Sequence, residues 1–363
     1  MKNELLLEFA ARLMRHPAVA CHEQAVRSEV EAICREHRLD CRRDTFGNVL
    51  VTLNTAPRAR PIVLSAHMDH PGFEMLRRVP RAKGTWQARF RGGVPPDYFV
   101  PGTQVRLMPG YRRARLGVAL SPARKTFLIE GVDEPNLVLA FAVWDLPAFA
   151  VRGDRLHGRA CDDLIGVATI LAVMAELRTN RAKVNLIGAI TRAEEVGFLG
   201  ALAMAAARTL PTNALVISLE TSRELPGAAM GRGVILRTGD KASIFDSDAT
   251  RCLGEVAAEL QKRNRDFQFQ RALMSGGTCE ATAYQEFGYQ AAALCVALGN
   301  YHNCGGGNRI APEFVSIRDA SGMVQLLVNA ARRASDFHRL AGRLPRRLNK
   351  LLKEARMSLP EQA

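Results

Sequence analysis

The sequence predicts an α/β fold: a mixed, mostly parallel sheet flanked by helices and interrupted by an inserted β domain. Three observations predict it. Short, almost wholly apolar runs such as Ile62-Val63-Leu64-Ser65-Ala66 and Val184-Asn185-Leu186-Ile187-Gly188-Ala189-Ile190 read as strands buried on both faces. Helix-length periodic segments alternate with such runs at both ends of the chain. From about residue 72 to residue 153 long helices disappear, and short β-like segments punctuated by Gly and Pro take over.

Taken in order, residues 1 to 70 alternate helix-like and strand-like patterns and end in an apolar run leading into His67-Met68-Asp69. The stretches 86–90, 104–107, 115–120 and 126–131 are the β-like segments of the insert. After Gly158 the α/β pattern resumes: helix 164–178, strand 184–190, helix 196–207, strand 214–219, strand 290–297 and helix 318–334. The last stretch is short, basic and amphipathic, and reads as a solvated terminal helix. The resulting plan is a catalytic domain split into 1–71 and 154–341, an insert at 72–153, and a basic tail at 342–363. No internal repeat or low-complexity tract interrupts it.

The 363 residues suffice for a large core, and no stretch is long and apolar enough for a membrane span. Eight scattered cysteines without a C-x-x-C pair suit reduced thiols and a cytoplasmic location. The formal charge of +14 could draw nucleic acid, anionic lipid or acidic peptides. Its arginines are dispersed in short pairs with no aromatic interleaving, which favours a solvated surface and argues against nucleic acid as a partner.

Polar residues recur where predicted strands end. His67 and Asp69 follow one apolar run, Glu194 and Glu195 a second, Glu220 a third, and His302 a fourth, while Asp162 and Asp163 open a helix. In a mostly parallel sheet the carboxyl ends of strands share one edge, where ligand crevices form. Carboxylates gather in a dry crevice only when cations neutralise them, and neutral imidazoles among them suit zinc or a similar divalent ion. This also accounts for the adjacent pair at 194 and 195: one glutamate ligates metal, and its neighbour takes a proton from the attacking water.

The ordered blocks AHMDHPGF (66–73), GRACDDLIGVA (158–168), TRAEEVGFLGA (191–201), GRG (231–233), SGGT (275–278) and YHN (301–303) resemble those of the M42 dinuclear metallo-aminopeptidases, over roughly residues 5 to 335. That family includes glutamyl, deblocking and tetrahedral aminopeptidases. The resemblance implies a zinc-peptidase-like sheet with a small inserted β-barrel. It also implies two divalent ions per chain, zinc first and cobalt or manganese as alternatives. His67 and Glu220 would serve one ion, Glu195 and His302 the other, with Asp162 bridging; Asp69 would steady His67, and Glu194 would be the general base. A cis peptide between Asp162 and Asp163 is implied as well. Gly276, Gly277, Thr278 and His70 are the candidate substrate contacts. The sequence departs from the family pattern at Glu220, where Asp is usual, at His70, where an acid is common, and at Cys279, where Asp is common; Cys279 and Cys161 read as small buried residues.

The implied activity is removal of N-terminal residues from peptides, with the surplus of Arg and Lys favouring acidic first residues. A deacylase of small N-acyl compounds, of the M20 type in the same clan, is the alternative; there the extra domain lies between the fourth and fifth ligands, whereas here it precedes the second ligand segment. A non-catalytic basic binding protein is a further alternative, opposed by the complete ligand and base set. The insert resembles the small β domain through which this family assembles, and exposed β edges on it would suit subunit docking, giving a homo-oligomer between a dimer and a dodecamer.

Overall fold

The computed structural model describes residues 2–133 and 140–358; residues 134–139 of the insert and 359–363 of the tail lie outside the described residues. An eleven-stranded sheet forms the body, and its centre is parallel: Asn185–Thr191, Ile62–His67, Leu215–Arg223 and Gln290–Gly299 lie side by side in that order. Antiparallel strands flank this centre, with Val49–Asn54 and Asp40–Arg43 on one side and Glu313–Ser316, Arg155–Gly158 and Phe149–Arg152 on the other. All six residues of Ile62–His67 are buried, as expected for a strand covered by helices on both faces. The helix Cys161–Thr179 is apolar almost all round and correspondingly buried, packed between the sheet and the helices Lys2–Met14 and Ile317–Arg332. No described helix is long and apolar enough to cross a membrane.

Two boundaries differ from the sequence reading. The strand expected to stop at 219 continues to Arg223, because parallel pairing with Gln290–Gly299 runs on to Arg223 opposite Leu298; Glu220 therefore stands inside a strand, opposite Cys295. The helix expected from 196 begins at Leu199, since Ala193, Gly197 and Phe198 take left-handed conformations that an α-helix cannot include. The segment between Glu220 and His302 holds the strands Val234–Gly239 and Phe269–Leu273 and the helices Ser247–Arg263 and Glu280–Glu286.

Six strands between Gly72 and Trp144 close into an antiparallel barrel. Phe73, Phe90 and Trp144 fill it edge-on or tilted, with Phe73 4.9 Å from Phe90 and 5.0 Å from Trp144 between ring centroids. Among the described residues closure leaves no barrel strand at an open sheet edge, so the expectation of docking through exposed β edges is corrected: a closed barrel meets a partner through its outward side chains. Leu76, Val100, Val118 and Leu120 are such exposed apolar residues. Strand Phe149–Arg152 pairs back onto the large sheet.

Trp144 is fully buried in the barrel core. Trp144→Ala is expected to cost about 3 to 5 kcal/mol of unfolding free energy in a denaturant titration. A loss under about 1 kcal/mol would show that the aromatic cluster does not carry the barrel's stability.

Candidate metal centre

The parallel centre of the sheet delivers its polar residues to one edge. His67 ends its strand directly beside Thr191, three residues before Glu194, while Glu220 lies one strand over. His302 arrives from the turn after Gln290–Gly299, where Asn300, His302 and Asn303 are all left-handed and reverse the chain sharply. Asp162 opens the buried helix, and its peptide bond to Asp163 is cis, as the resemblance implies.

Both histidines are oriented by carbonyls. His67 Nδ1 lies 3.0 Å from the Asp69 carbonyl and His302 Nδ1 lies 2.6 Å from the Gly93 carbonyl, so each Nδ1–H donates and each Nε2 is left with its lone pair facing inward. The inward partners are carboxylates. His67 Nε2 is 3.3 Å from Asp162 Oδ1, and His302 Nε2 is 3.6 Å from Asp162 Oδ2 and 3.3 Å from Glu195 Oε1. A lone pair against a carboxylate oxygen is repulsive unless a proton or a cation lies between them. Asp162 Oδ1, Glu195 Oε1 and Glu220 Oε1 are buried with no hydrogen-bond partner among the described residues, which leaves these oxygens ready for a cation.

Two groups of donor atoms result: His67, Asp162 and Glu220, and Asp162, Glu195 and His302. Within each group the atoms lie within 4.8 Å of one another, and Asp162 belongs to both. Without a cation, protons must hold the cluster together. Burial works against charging His67, but Glu194, Asp162 and Asp69 outweigh it and lift its pKa well above the usual value. His302 is raised likewise against burial, chiefly by Glu195 and Asp162. Burial pushes Glu194 well above the carboxyl range and Glu220 up to about 8. Burial also pushes Asp162 up, but the protonated imidazoles of His302 and His67 beside it prevail and hold it low. The donor set, two imidazoles and three carboxylates, fits zinc or a similar divalent ion.

Asp69 does more than was expected of it. Its backbone carbonyl, rather than its carboxylate, accepts from His67; the carboxylate accepts from the backbone N–H of Glu194 at 2.9 Å and of Glu195 at 3.1 Å. Glu194 stands outside both donor groups, with Oε2 3.8 Å from His67 Nε2.

A cavity of about 280 Å³ includes the cluster in its lining, with Glu194, Glu195 and Glu220 among its walls together with Arg237, Met274, Gly276, Gly277 and Thr278. The glycine-rich SGGT block thus contributes Gly276, Gly277 and Thr278 to the lining. His70 does not reach the cavity. It is 2% exposed, bridging the Asp162 carbonyl and Asn303 Oδ1 at 3.0 Å each, so its expected substrate contact is corrected to a support for the Asp162 backbone. Cys279 and Cys161 are buried, as read from the sequence.

Sequence reasoning missed three residues. Glu313 is fully buried and accepts from the N–H groups of Cys161 and Asp162 at 2.8 and 3.1 Å. Tyr301 stacks on His302 with centroids 3.8 Å apart. Arg237 is 3% exposed; it donates to Ser222 Oγ at 3.3 Å, its Nε has no partner, and it forms no ion pair with a described carboxylate. Only Tyr301 had a visible signal, its place beside His302; the other two sit in strands whose polar residue breaks an otherwise apolar pattern.

Residues 137–306 match the model of a family described as M42 glutamyl aminopeptidase, in agreement with the resemblance read from the sequence. Among solved structures, an aminopeptidase from the archaeon Desulfurococcus kamchatkensis is similar at 21% identity, over 93% of this chain and 98% of that one, with a TM-score of 0.75. A TET aminopeptidase from a marine-sediment Thaumarchaeota archaeon gives 20%, 92%, 99% and 0.76. The TET1 peptidase of Pyrococcus horikoshii, described as assembling into a tetrahedron or a large octahedral shell, gives 20%, 91%, 99% and 0.73. At these identities the structures establish the shared fold.

A divalent ion entering this centre has to displace protons. His67 and His302 are raised and therefore protonated near neutrality, and Glu220, at about 8, is then largely neutral. Zinc titration by calorimetry in two buffers of different ionisation enthalpy should therefore show proton release near pH 7, and affinity should fall as the pH is lowered. Identical heats in both buffers would contradict this account.

Proposed function

We propose that this chain, a member of the M42 peptidase family, is a metal-dependent aminopeptidase that removes single residues from free peptide N-termini. The observation that carries this reading is the pair of donor groups sharing Asp162 at the carboxyl edge of the sheet, with a non-ligating glutamate beside them. His67, Asp162 and Glu220 would hold one ion and Asp162, Glu195 and His302 the other, with zinc the best match to the donors and cobalt or manganese next. Bound there, two divalent ions supply Lewis acidity to the scissile carbonyl and lower the pKa of the attacking water.

The chain's own residues supply the rest. Glu194 is half-buried, and its N–H is pinned by Asp69 at 2.9 Å, so its carboxylate is positioned to accept the proton of the attacking water and return it to the departing amine. Asp69 fixes both glutamates and, through its carbonyl, the His67 ring, so one residue sets the relative position of base and ligands. The carboxylates of the lining suit a protonated α-amine, and the limited volume suits the end of a peptide. On the cavity lining Arg237 presents a buried cation that donates to the Ser222 hydroxyl and forms no ion pair with a described carboxylate, which complements a side-chain carboxylate on the first residue. Eight free thiols fit a reducing cytoplasm. Assembly into a homo-oligomer is part of the same reading, with the exposed barrel residues Val118 and Leu120 as contact surface.

A matched pair of one short peptide, free and N-acetylated, tests the activity. The metal-loaded protein should release the first residue of the free peptide only. Release of acetate from N-acetyl amino acids, with the free peptide intact, would support the deacylase alternative. Glu194→Gln should lower kcat about 10²- to 10⁴-fold with metal content unchanged, whereas Glu195→Gln should reduce metal content; the opposite pattern would exchange their roles. Peptides beginning with Glu should exceed those beginning with Gln about 100-fold in kcat/KM, and Arg237→Gln should erase that ratio. An unchanged ratio in the variant would remove Arg237 from substrate recognition. Val118→Lys with Leu120→Lys should lower the particle mass by light scattering; an unchanged mass puts the interface elsewhere.

A further inference from the structure

The C-terminal helix, Arg343–Ser358, ends the described chain and is anchored at its start. Arg343 bonds Glu255 Oε2 and Glu259 Oε1 at 2.6 Å each, which fixes the first turn to the helix Ser247–Arg263. Beyond that turn Leu344, Leu348, Leu351 and Leu352 are 43%, 54%, 49% and 50% exposed. Their spacing puts them on one face about 100° wide, and Ala355 falls within it. Arg346, Lys350 and Lys353 fall on the opposite side of the helix, and Arg347 near a border of the leucine face. With Arg343 and Arg356 the segment's sequence has six cations against one acid, Glu354. Single exposed leucines are ordinary; four in a row on one helix, about 24 Å long, are not.

We propose that this helix is a docking surface for an anionic lipid bilayer, lying flat in the headgroup layer with its leucines toward the acyl chains. Two features select that occupant. A second copy of the chain brings another +14 and another equally basic helix, so pairing the leucine faces would bring like charges together. Nucleic acid would satisfy the cations but offers no apolar cover for the leucines. The interface of an anionic bilayer answers both faces along the whole length of the helix, the cations reaching phosphate level while the leucines bury. Lying on a membrane needs neither the length nor the uniform apolarity of a crossing helix. A single helix of this kind binds weakly and reversibly; an assembly presenting several copies binds by avidity. The proposal stands apart from the peptidase reading, because no residue of the helix lines the cavity.

The test is sedimentation of the metal-loaded full-length protein with extruded vesicles of phosphatidylcholine alone or mixed with phosphatidylglycerol. The protein should pellet with the mixed vesicles at low salt, at least about tenfold better than with the neutral ones, and should be released as ionic strength rises. The full-length variant Leu348→Gln with Leu351→Gln, altered only at exposed positions, should lose about tenfold in partition while peptide hydrolysis in solution is unchanged. Truncation after Gly342 should abolish binding. A protein that stays in the supernatant with both vesicle types overturns the proposal, as does a leucine variant that pellets like its parent. A fall in particle mass in the leucine variant also overturns it and gives the face to a second copy.

Discussion

The organising constraint of this structure is a set of acceptors that face one another. Two imidazoles, each with its Nδ1 proton committed to a backbone carbonyl, point bare Nε2 atoms at the carboxylate of Asp162 from opposite sides. Nothing in the chain's neutral chemistry fills the space between them; it takes a proton or a cation. A side-chain amide in place of Asp162 would have relieved the repulsion by donating, and that the chain has a carboxylate there makes the cluster a receptor for positive charge. The backbone bonds to Nδ1 are what give the cluster its polarity, since they settle which nitrogen faces in.

Keeping such a cluster dry requires support from outside it. Glu313 gathers the N–H groups of Cys161 and Asp162, Asp69 those of Glu194 and Glu195, and Glu23 that of Ala193 at 3.1 Å together with the Arg192 guanidinium. In each case a buried carboxylate takes backbone donors at a point where the chain leaves regular structure and would otherwise bury them unpaired. Glu280 does the same for hydroxyls, receiving Ser65 and Thr191 beneath the His67 strand. Buried carboxylate oxygens without a hydrogen-bond partner among the described residues remain on Asp162, Asp163, Glu195, Glu220 and Glu313, and they divide by place: Asp162, Glu195 and Glu220 line the cavity, while Asp163 and Glu313 do not.

That division marks how far the sequence could be read. The strand-end positions of His67, Glu194 and Glu195 followed from apolar runs, because a strand buried on both faces announces itself by composition alone. Glu220 was expected past the end of its strand: the partner strand, whose paired residues lie seventy-five positions on, prolongs the pairing, and no local pattern carries that information. His70 looked like a loop residue beside a site, whereas it is buried by Asn303, which is distant in sequence. Arg237 and Glu313 were invisible for the same cause. A lone charged residue in an apolar strand reads as an outward-facing position, and only the tertiary fold shows it turned inward.

The inserted barrel illustrates the same dependence from the other side. Composition marks it as a separate β unit, and a unit closed on its own aromatic core need not touch the donor cluster at all. Yet the carbonyl that orients His302 belongs to Gly93, in a loop of the insert, and Tyr98 of the insert donates to the Gly305 carbonyl at 2.9 Å. Cys304 and Ile310, which follow His302, pack against the barrel's core. One of the two imidazoles thus takes its orientation from the insert, while the other takes it from the parallel sheet. Anything that shifts the barrel relative to the sheet, subunit contact on its outer face included, moves one imidazole against the other and so alters the gap on which the whole centre depends.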